Sequence, residues 1–384
     1  MKQQLCNLKE TVSWAVETLE QHPERDLAAA VKAVRGGASR RYPVVYVGYP
    51  HNPDDKWEFE HIFQLPELSI ADNEERSCAE KILAMLRPLD MHNPIELVFN
   101  LGVGPGTFPA VLGAELSAEC GMVAIPLPNI DSVIERIPVD WENSIEVVKM
   151  RQFIEFIKNH LPCRFKIAMP DSQGVFNIVH ALLGDQAFFA PLDNPEKFDK
   201  LCSIVTNFLI EAHQKFKVWI GNEYLSTLNG EIDYIAECSV NLVSADFYFE
   251  HLLKYDLLLA AELPEIHLHP CSGPHVFKAT LENLPNLRVL EAGFVSCAVA
   301  GSIGVNEALT LMDNHPYWLK IGQELPAGRE FETIITDLDR YRKNNRLTFG
   351  YTGMHWQRKD IPDIRNLHLK IDQYWDENIR KIQK

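Results

Sequence analysis

Two imidazoles and a thiol stand within five residues in His267-Leu268-His269-Pro270-Cys271, directly after an apolar run and before Ser-Gly-Pro. Glu291 follows at the end of a second apolar run, 287–290. If both runs are parallel strands of one sheet, His269, Cys271 and Glu291 share one carboxyl edge. An imidazole, a thiolate and a carboxylate suit Zn²⁺ and leave a fourth position open. A substrate thiol in that position is deprotonated at neutral pH and becomes a competent nucleophile. The structural alternative makes His269 a satisfied strand-end histidine and Cys271 a buried thiol. His267 faces the same way as His269 on a strand and could replace it as a ligand. His275 reads as a helix-start residue.

The elements that position these groups come from a chain of 384 residues, 46% hydrophobic and 23% charged. That is enough for one large α/β barrel or two ordinary domains. A net charge of −16 opposes nucleic-acid and anionic-membrane partners, which would repel it. No apolar run reaches the roughly 18 to 20 residues of a membrane helix. The first residues read as an amphipathic helix without a signal-peptide core, so the expected location is cytoplasmic. The cysteines at 6, 78, 120, 163, 202, 238, 271 and 297 are scattered with no CxxC. They read as reduced core thiols, with only Cys271 in company suited to ligation. A small-molecule substrate is expected, and an oligomer is compatible with the sequence.

Residues 1–40 read as a helical extension, with Leu5, Val12, Ala15 and Leu19 at helical spacing and Gly36-Gly37 ending it. Strands are expected over 41–49, 96–101, 161–168, 257–260, 263–269, 287–291, 315–321 and 346–351, and a short strand with its loop over 234–243. Helices are expected over 73–88, with Asn73 as a cap, and over 175–184, 196–218, 245–255, 306–313, 329–344 and 361–384. Such alternation implies a parallel sheet with helical crossovers. At this length the economical answer is a single (β/α)8 TIM barrel over 41–384.

In a barrel, chemistry sits on loops after the strands. Gly102-Val103-Gly104-Pro105-Gly106-Thr107 could cradle a phosphate, but Pro105 and the missing Lys-Ser/Thr favour a tight turn at a pocket rim. Asp171, in Pro-Asp-Ser-Gln-Gly, either meets a cationic or hydroxylated substrate or caps the following helix. Glu237 is an acid/base candidate or a solvated loop acid, with Ser239 beside it. His180 lies mid-helix among apolar residues, as a core histidine or a pocket residue. Trp57, Phe59, Phe63, Trp141 and Trp356 either lid the barrel mouth, excluding water, or fill space between crossovers.

Several stretches resemble the uroporphyrinogen decarboxylase-like superfamily, in order from about 40 to 375. They are NLGVGPGTFPAVLGA from Asn100, MPDSQGVFNIVHALLG from Met169, the Asp193-Asn194-Pro195-Glu196-Lys197 turn, Glu237-Cys238-Ser239 with Leu242-Val243-Ser244, and His269-Pro270-Cys271-Ser272-Gly273. The resemblance implies a (β/α)8 barrel, in agreement with the alternation. It implies either decarboxylation of a porphyrinogen or zinc-dependent methyl transfer with corrinoid proteins and thiols.

This chain departs from the decarboxylase pattern in four places. The Arg-Gln-Ala-Gly-Arg stretch is missing from 41–53, and the essential aspartate position falls near Val103 and Gly104. The tyrosine position falls at His180, and the histidine position at Tyr351 or Thr352. His269-Pro270-Cys271 instead matches the His-x-Cys of the methyltransferase branch, and Glu291 resembles the glutamate that joins the metal in related methionine synthases. The branch's further cysteine is missing from 347–353, with Cys297 a substitute only if its loop folds back.

The expectation is therefore a methyltransferase moving a methyl group between a small substrate and a corrinoid protein or thiol. Its cofactors would be Zn²⁺ on His269, Cys271 and Glu291, and a corrinoid carried by a partner protein. Glu237 and Asp171 would be catalytic, with Ser239, Gln173, His180 and Tyr351 against the substrate. The alternatives are a decarboxylase-type lyase on a polar acid or tetrapyrrole, and a non-catalytic small-molecule-binding barrel.

Overall fold

Eight short strands run parallel and carry the site at their carboxyl ends: β1 (Val44–Gly48), β2 (Val98–Phe99), β3 (Lys166–Ile167), β4 (Asp233–Ala236), β5 (Ile266–His269), β6 (Leu287–Ala292), β7 (Trp318–Glu324) and β8 (Leu347–Thr352). The computed structural model describes residues 3–35, 44–48, 67–117, 123–138, 140–227, 230–269, 282–292, 318–341, 347–352, 356 and 358–378. Six strands form one sheet in the order β1-β8-β7-β6-β5-β4, and β2 pairs with β3. Just beyond β3, a parallel bridge joins Gln173 to Ala236 of β4. There Gly174 N–H donates to the Ala236 carbonyl at 2.8 Å and Ala236 N–H to the Ser172 carbonyl at 2.9 Å. The expected strand–helix alternation is present. Among the described residues no ladder joins β1 to β2, so the sheet is not closed there.

The helices follow from apolar spacing and caps. α1 (Leu8–Glu20) buries Leu8, Val12, Ala15 and Leu19, and Asn7 accepts from Glu10 N–H at its start. It belongs to the same hydrophobic core as the sheet, and Gln4–Leu5 pairs with Glu67–Leu68. After it, Arg25 forms an ion pair with Asp372 on the C-terminal helix. The N-terminal extension is thus tied to the rest of the chain at both sheet and helix level. α2 spans Leu27–Arg35, α3 Asn73–Met85, α4 Ile145–His160, α5 Val175–Leu183, α6 Pro195–Ile220, α7 Leu253–Glu262, α8 Glu330–Tyr341 and α9 Ile361–Asn378.

Some expectations need correction. Asp72, in extended backbone, caps α3 by accepting from Glu75 N–H, while Asn73 is already helical. The stretch 257–260 is helix, not strand. Leu and Ala are strong helix formers, and Tyr255, Asp256, Leu259 and Ala260 are buried at helical spacing while Leu257 and Leu258 face out. Trp141 is core filling, edge-on to Phe208 at 5.2 Å, and Trp356 packs half-buried against the core. Trp57, Phe59, Phe63, His275, Cys297 and the helix expected over 306–313 lie outside the described residues.

Candidate functional site

The ends of β5 and β6 bring the expected imidazole and carboxylate together. Their register pairs Val289 with His267 and Leu290 with Leu268, after a shift between Leu287 and Val289. That shift puts Glu291 on the face that carries His267 and His269, because side chains alternate along a strand. Glu291 Oε2 lies 3.4 Å from His269 Nδ1 and 3.4 Å from His267 Nε2, and all three side chains are nearly or fully buried. Burial opposes charge on His269, but the Cys238 thiol and the Glu291 carboxylate outweigh it and lift its pKa to about 10. Tyr234 of β4 packs edge-on to the His267 ring at 4.9 Å.

These groups fit part of a metal shell. With bonds of about 2.0–2.1 Å, the edge of a tetrahedral zinc site measures about 3.4 Å, which matches both separations on Glu291. Among the described residues no group of three or more His, Cys, Asp or Glu makes a metal site by itself. The third expected ligand, Cys271, lies outside the described residues. A complete set would be His269, Glu291 and Cys271, with His267 placed equally close to the carboxylate.

Asp171, on the loop after β3, is the half-exposed residue in a buried stretch: every other residue from Ala168 to Val179 is buried. It does not cap α5, whose cap position is Gly174 without a side-chain bond. Instead Asp171 Oδ1 accepts from Gln173 Nε2 at 2.9 Å. A Cβ on Gly104 would stand 3.9 Å from Asp171 Oδ2, so the 102–107 turn runs beside this carboxylate. Thr107 pins that turn, accepting from Val103 N–H and donating to the Gly104 carbonyl, both at 2.8 Å. Gly102 (φ +78°) leaves no space for a side chain, since its Cβ would meet Thr107 Oγ1 at 2.3 Å. Burial raises the Asp171 pKa, the Gln173 bond lowers it, and the Cys238 and His269 charges act on it in opposite senses.

A polar chain links this loop to the next strand end. Asn177 Nδ2 donates to Gln173 Oε1 at 2.8 Å and to the Ala236 carbonyl at 2.7 Å. Ser239 N–H donates to Asn177 Oδ1 at 2.7 Å. Ser239 Oγ lies 2.9 Å from His180 Nδ1. His180 is half-buried against Phe188, and burial lowers its pKa, which keeps the ring neutral. Asp171, Gln173, His180 and Ser239 are therefore one network, and His180 belongs to both core and rim.

Glu237 is not a solvated loop acid. It is 2% exposed and pressed so closely on Gly174 that a Cβ there would fall 1.5 Å from its Oε1. Neither side-chain oxygen makes a hydrogen bond of good geometry, although Asp256 and the Val175 N–H face the carboxyl. Burial, then the Asp256 charge, push its pKa well up. Asp256 on α7 is also raised by burial and accepts from Tyr248 Oη at 2.5 Å. Burial and the neighbouring acid both favour the protonated form of Glu237. Tyr351 is 2% exposed and donates from Oη to Asp337 Oδ2 of α8 at 3.0 Å, which directs it to the helical layer.

Sequence reasoning did not single out Asn177, Cys238, Tyr248 or Asp256. Cys238 had a signal, since it follows Glu237 at a strand end. Asn177 had another, the i, i+4 spacing from Gln173 across the start of a helix. Asp256 had none, because it falls between the helix expected over 245–255 and the strand expected over 257–260.

No family model matches the chain, and no curated protein matches it. Among solved structures it is similar to a methyltransferase from Methanosarcina mazei, at 13% sequence identity and a TM-score of 0.56. The alignment covers 97% of this chain and 100% of that one. At that identity the likeness speaks for the fold. Among the described residues no helix is long and apolar enough to cross a membrane.

Proposed function

We propose that this chain is a methyltransferase working at the carboxyl ends of its parallel strands, with the eight strands closing as a (β/α)8 barrel. One observation carries the reading: His269 and Glu291, far apart in the chain, meet at 3.4 Å on adjacent strand ends. The whole-chain likeness to a structure named as a methyltransferase supports it.

His269, Cys271 and Glu291 would hold Zn²⁺, with His267 available beside them. When bound, the metal supplies a position at which a substrate thiol is deprotonated and made nucleophilic. The chain's own residues do the rest. In this reading Asp171, held by Gln173, orients the substrate beside the 102–107 turn, and the Asn177 network holds Ser239 and His180 in place. Phe189, Leu192 and Leu242 are exposed on the segments that follow His180 and Ser239 in the chain. Exposed apolar side chains at a rim suit a docking protein, here one carrying the corrinoid. The working location is the cytoplasm.

Metal content by mass spectrometry, measured on untagged protein supplied with zinc and on Cys271→Ser, tests this. About one zinc per chain, lost in the variant, supports methyl transfer through a zinc thiolate. No zinc in either protein overturns it.

A further inference from the structure

A groove of 1140 Å³ opens between α3 and α4, with Trp219 of α6 on its third side. None of its lining residues belongs to the strand-end set described above. Its volume is at the upper end of, or just beyond, the roughly 300–1,000 Å³ of small-molecule pockets. Phe153 and Phe156 of α4 and Trp219 of α6 line it and are half-buried. Lys81 of α3 and Lys149 and Arg151 of α4 line it too, and these three cations are exposed.

The cations are seated on the rings. Lys81 Nζ reaches across from α3 to stand 4.4 Å from the centre of the Phe153 ring. The Arg151 guanidinium stands 5.0 Å from the centre of the Trp219 ring. A cation on a ring face is held by the ring quadrupole while its N–H donors stay available to an anion. None of the three makes an ion pair among the described residues. Two acids also line the groove. Glu155 lies 3.9 Å from Lys158, and Glu74 sits in the first turn of α3, where the helix dipole favours a carboxylate. On a chain of net charge −16, this excess of cations in one groove is local. Cys78, the thiol in the lining, is buried, and burial pushes its pKa up to about 11. It offers no thiolate at neutral pH, so the groove is equipped for binding rather than for thiolate chemistry.

Rings that supply flat apolar contact, with N–H donors beside them, match a ligand that joins an anionic group to an aromatic body. We propose that the α3–α4 groove binds a small aromatic carboxylate, its anionic group received by Lys81, Lys149 and Arg151. The proposal does not depend on what the strand ends bind.

Titration calorimetry of full-length protein with 2-naphthoate and with 2-naphthamide, its neutral isostere, tests it. Naphthoate should bind about tenfold or more tighter than the amide at low salt, and the advantage should shrink as salt is raised. Lys81→Gln combined with Arg151→Gln should bring the ratio close to one. His269→Gln should leave the ratio unchanged, which separates this groove from a metal at the strand ends. Equal binding of the two probes, no binding of naphthoate, or a ratio unchanged in the double variant overturns the proposal. A ratio lost in His269→Gln overturns it as well, by moving naphthoate to the strand ends. Binding of hexaglutamate without binding of naphthoate also overturns it and makes the groove a protein-docking surface. Should the double variant fail to fold, Lys149→Gln decides, since it should weaken naphthoate severalfold and leave the amide unchanged.

Discussion

Glu291 Oε2 stands 3.4 Å from His269 Nδ1 across the β5–β6 pair, and at the same distance from His267 Nε2. The separation exceeds a good hydrogen bond and matches the edge of a tetrahedral shell. His269→Gln and Glu291→Gln should each lose most of the bound zinc, while His267→Gln should keep it. Metal analysis of the three variants decides which imidazole ligates. Zinc retained in His269→Gln and lost in His267→Gln would move the role to His267.

Glu237 and Asp256 give a pH dependence of stability. Their folded-state pKa values are raised, chiefly by burial, so the stability they contribute is present in acid and lost as pH rises through those values. The groups facing Glu237 are Asp256, backed by Tyr248, together with Cys238 and the Val175 N–H. Glu237→Gln cannot ionise. Its melting temperature, measured against wild type, should gain steadily between about pH 4 and pH 8. A gap independent of pH would contradict the raised pKa of Glu237.

Gly174 is required for space, not for backbone freedom. Gly174→Ala would place a Cβ on Glu237 Oε1 and should cost on the order of 3 kcal/mol in denaturant unfolding. Glu237→Ala should relieve part of that cost in the double variant, giving a favourable coupling energy. Strict additivity would contradict the contact.

Asn177 is 7% exposed and satisfies three partners: Gln173, the Ala236 carbonyl and Ser239 N–H. Asn177→Ala leaves buried backbone groups without those bonds, at a cost of about 2 kcal/mol. Tyr351→Phe, which loses a single bond to Asp337 on the helical layer, should cost less, about 1 kcal/mol. Unfolding curves check both variants.

Much of the site was legible because strand ends can be read from apolar runs. His269, Glu291, Asp171, Gln173, Glu237 and Ser239 all follow such runs, and all lie at strand ends or on the loops just after them. What each side chain faces was not legible. Glu237 and Asp171 both follow strand ends, those of β4 and β3, yet one is buried against Gly174 and the other is half-exposed. That difference depends on helix α7 and on the 102–107 turn, which are remote in sequence. Residues 257–260 were misread because a short apolar run has no period that separates strand from helix.

The order of residues by itself determined the alternation of strands and helices, the buried face of α1 and the set of polar residues that reach the strand ends. Those follow from local periodicity and from the need to bury apolar side chains. Only the tertiary structure decided that Glu291 meets both imidazoles, that Asp256 joins Glu237 and that Tyr351 turns to Asp337. Register shifts and helix docking set those contacts, and both are fixed by packing between segments whose sequences carry no record of one another.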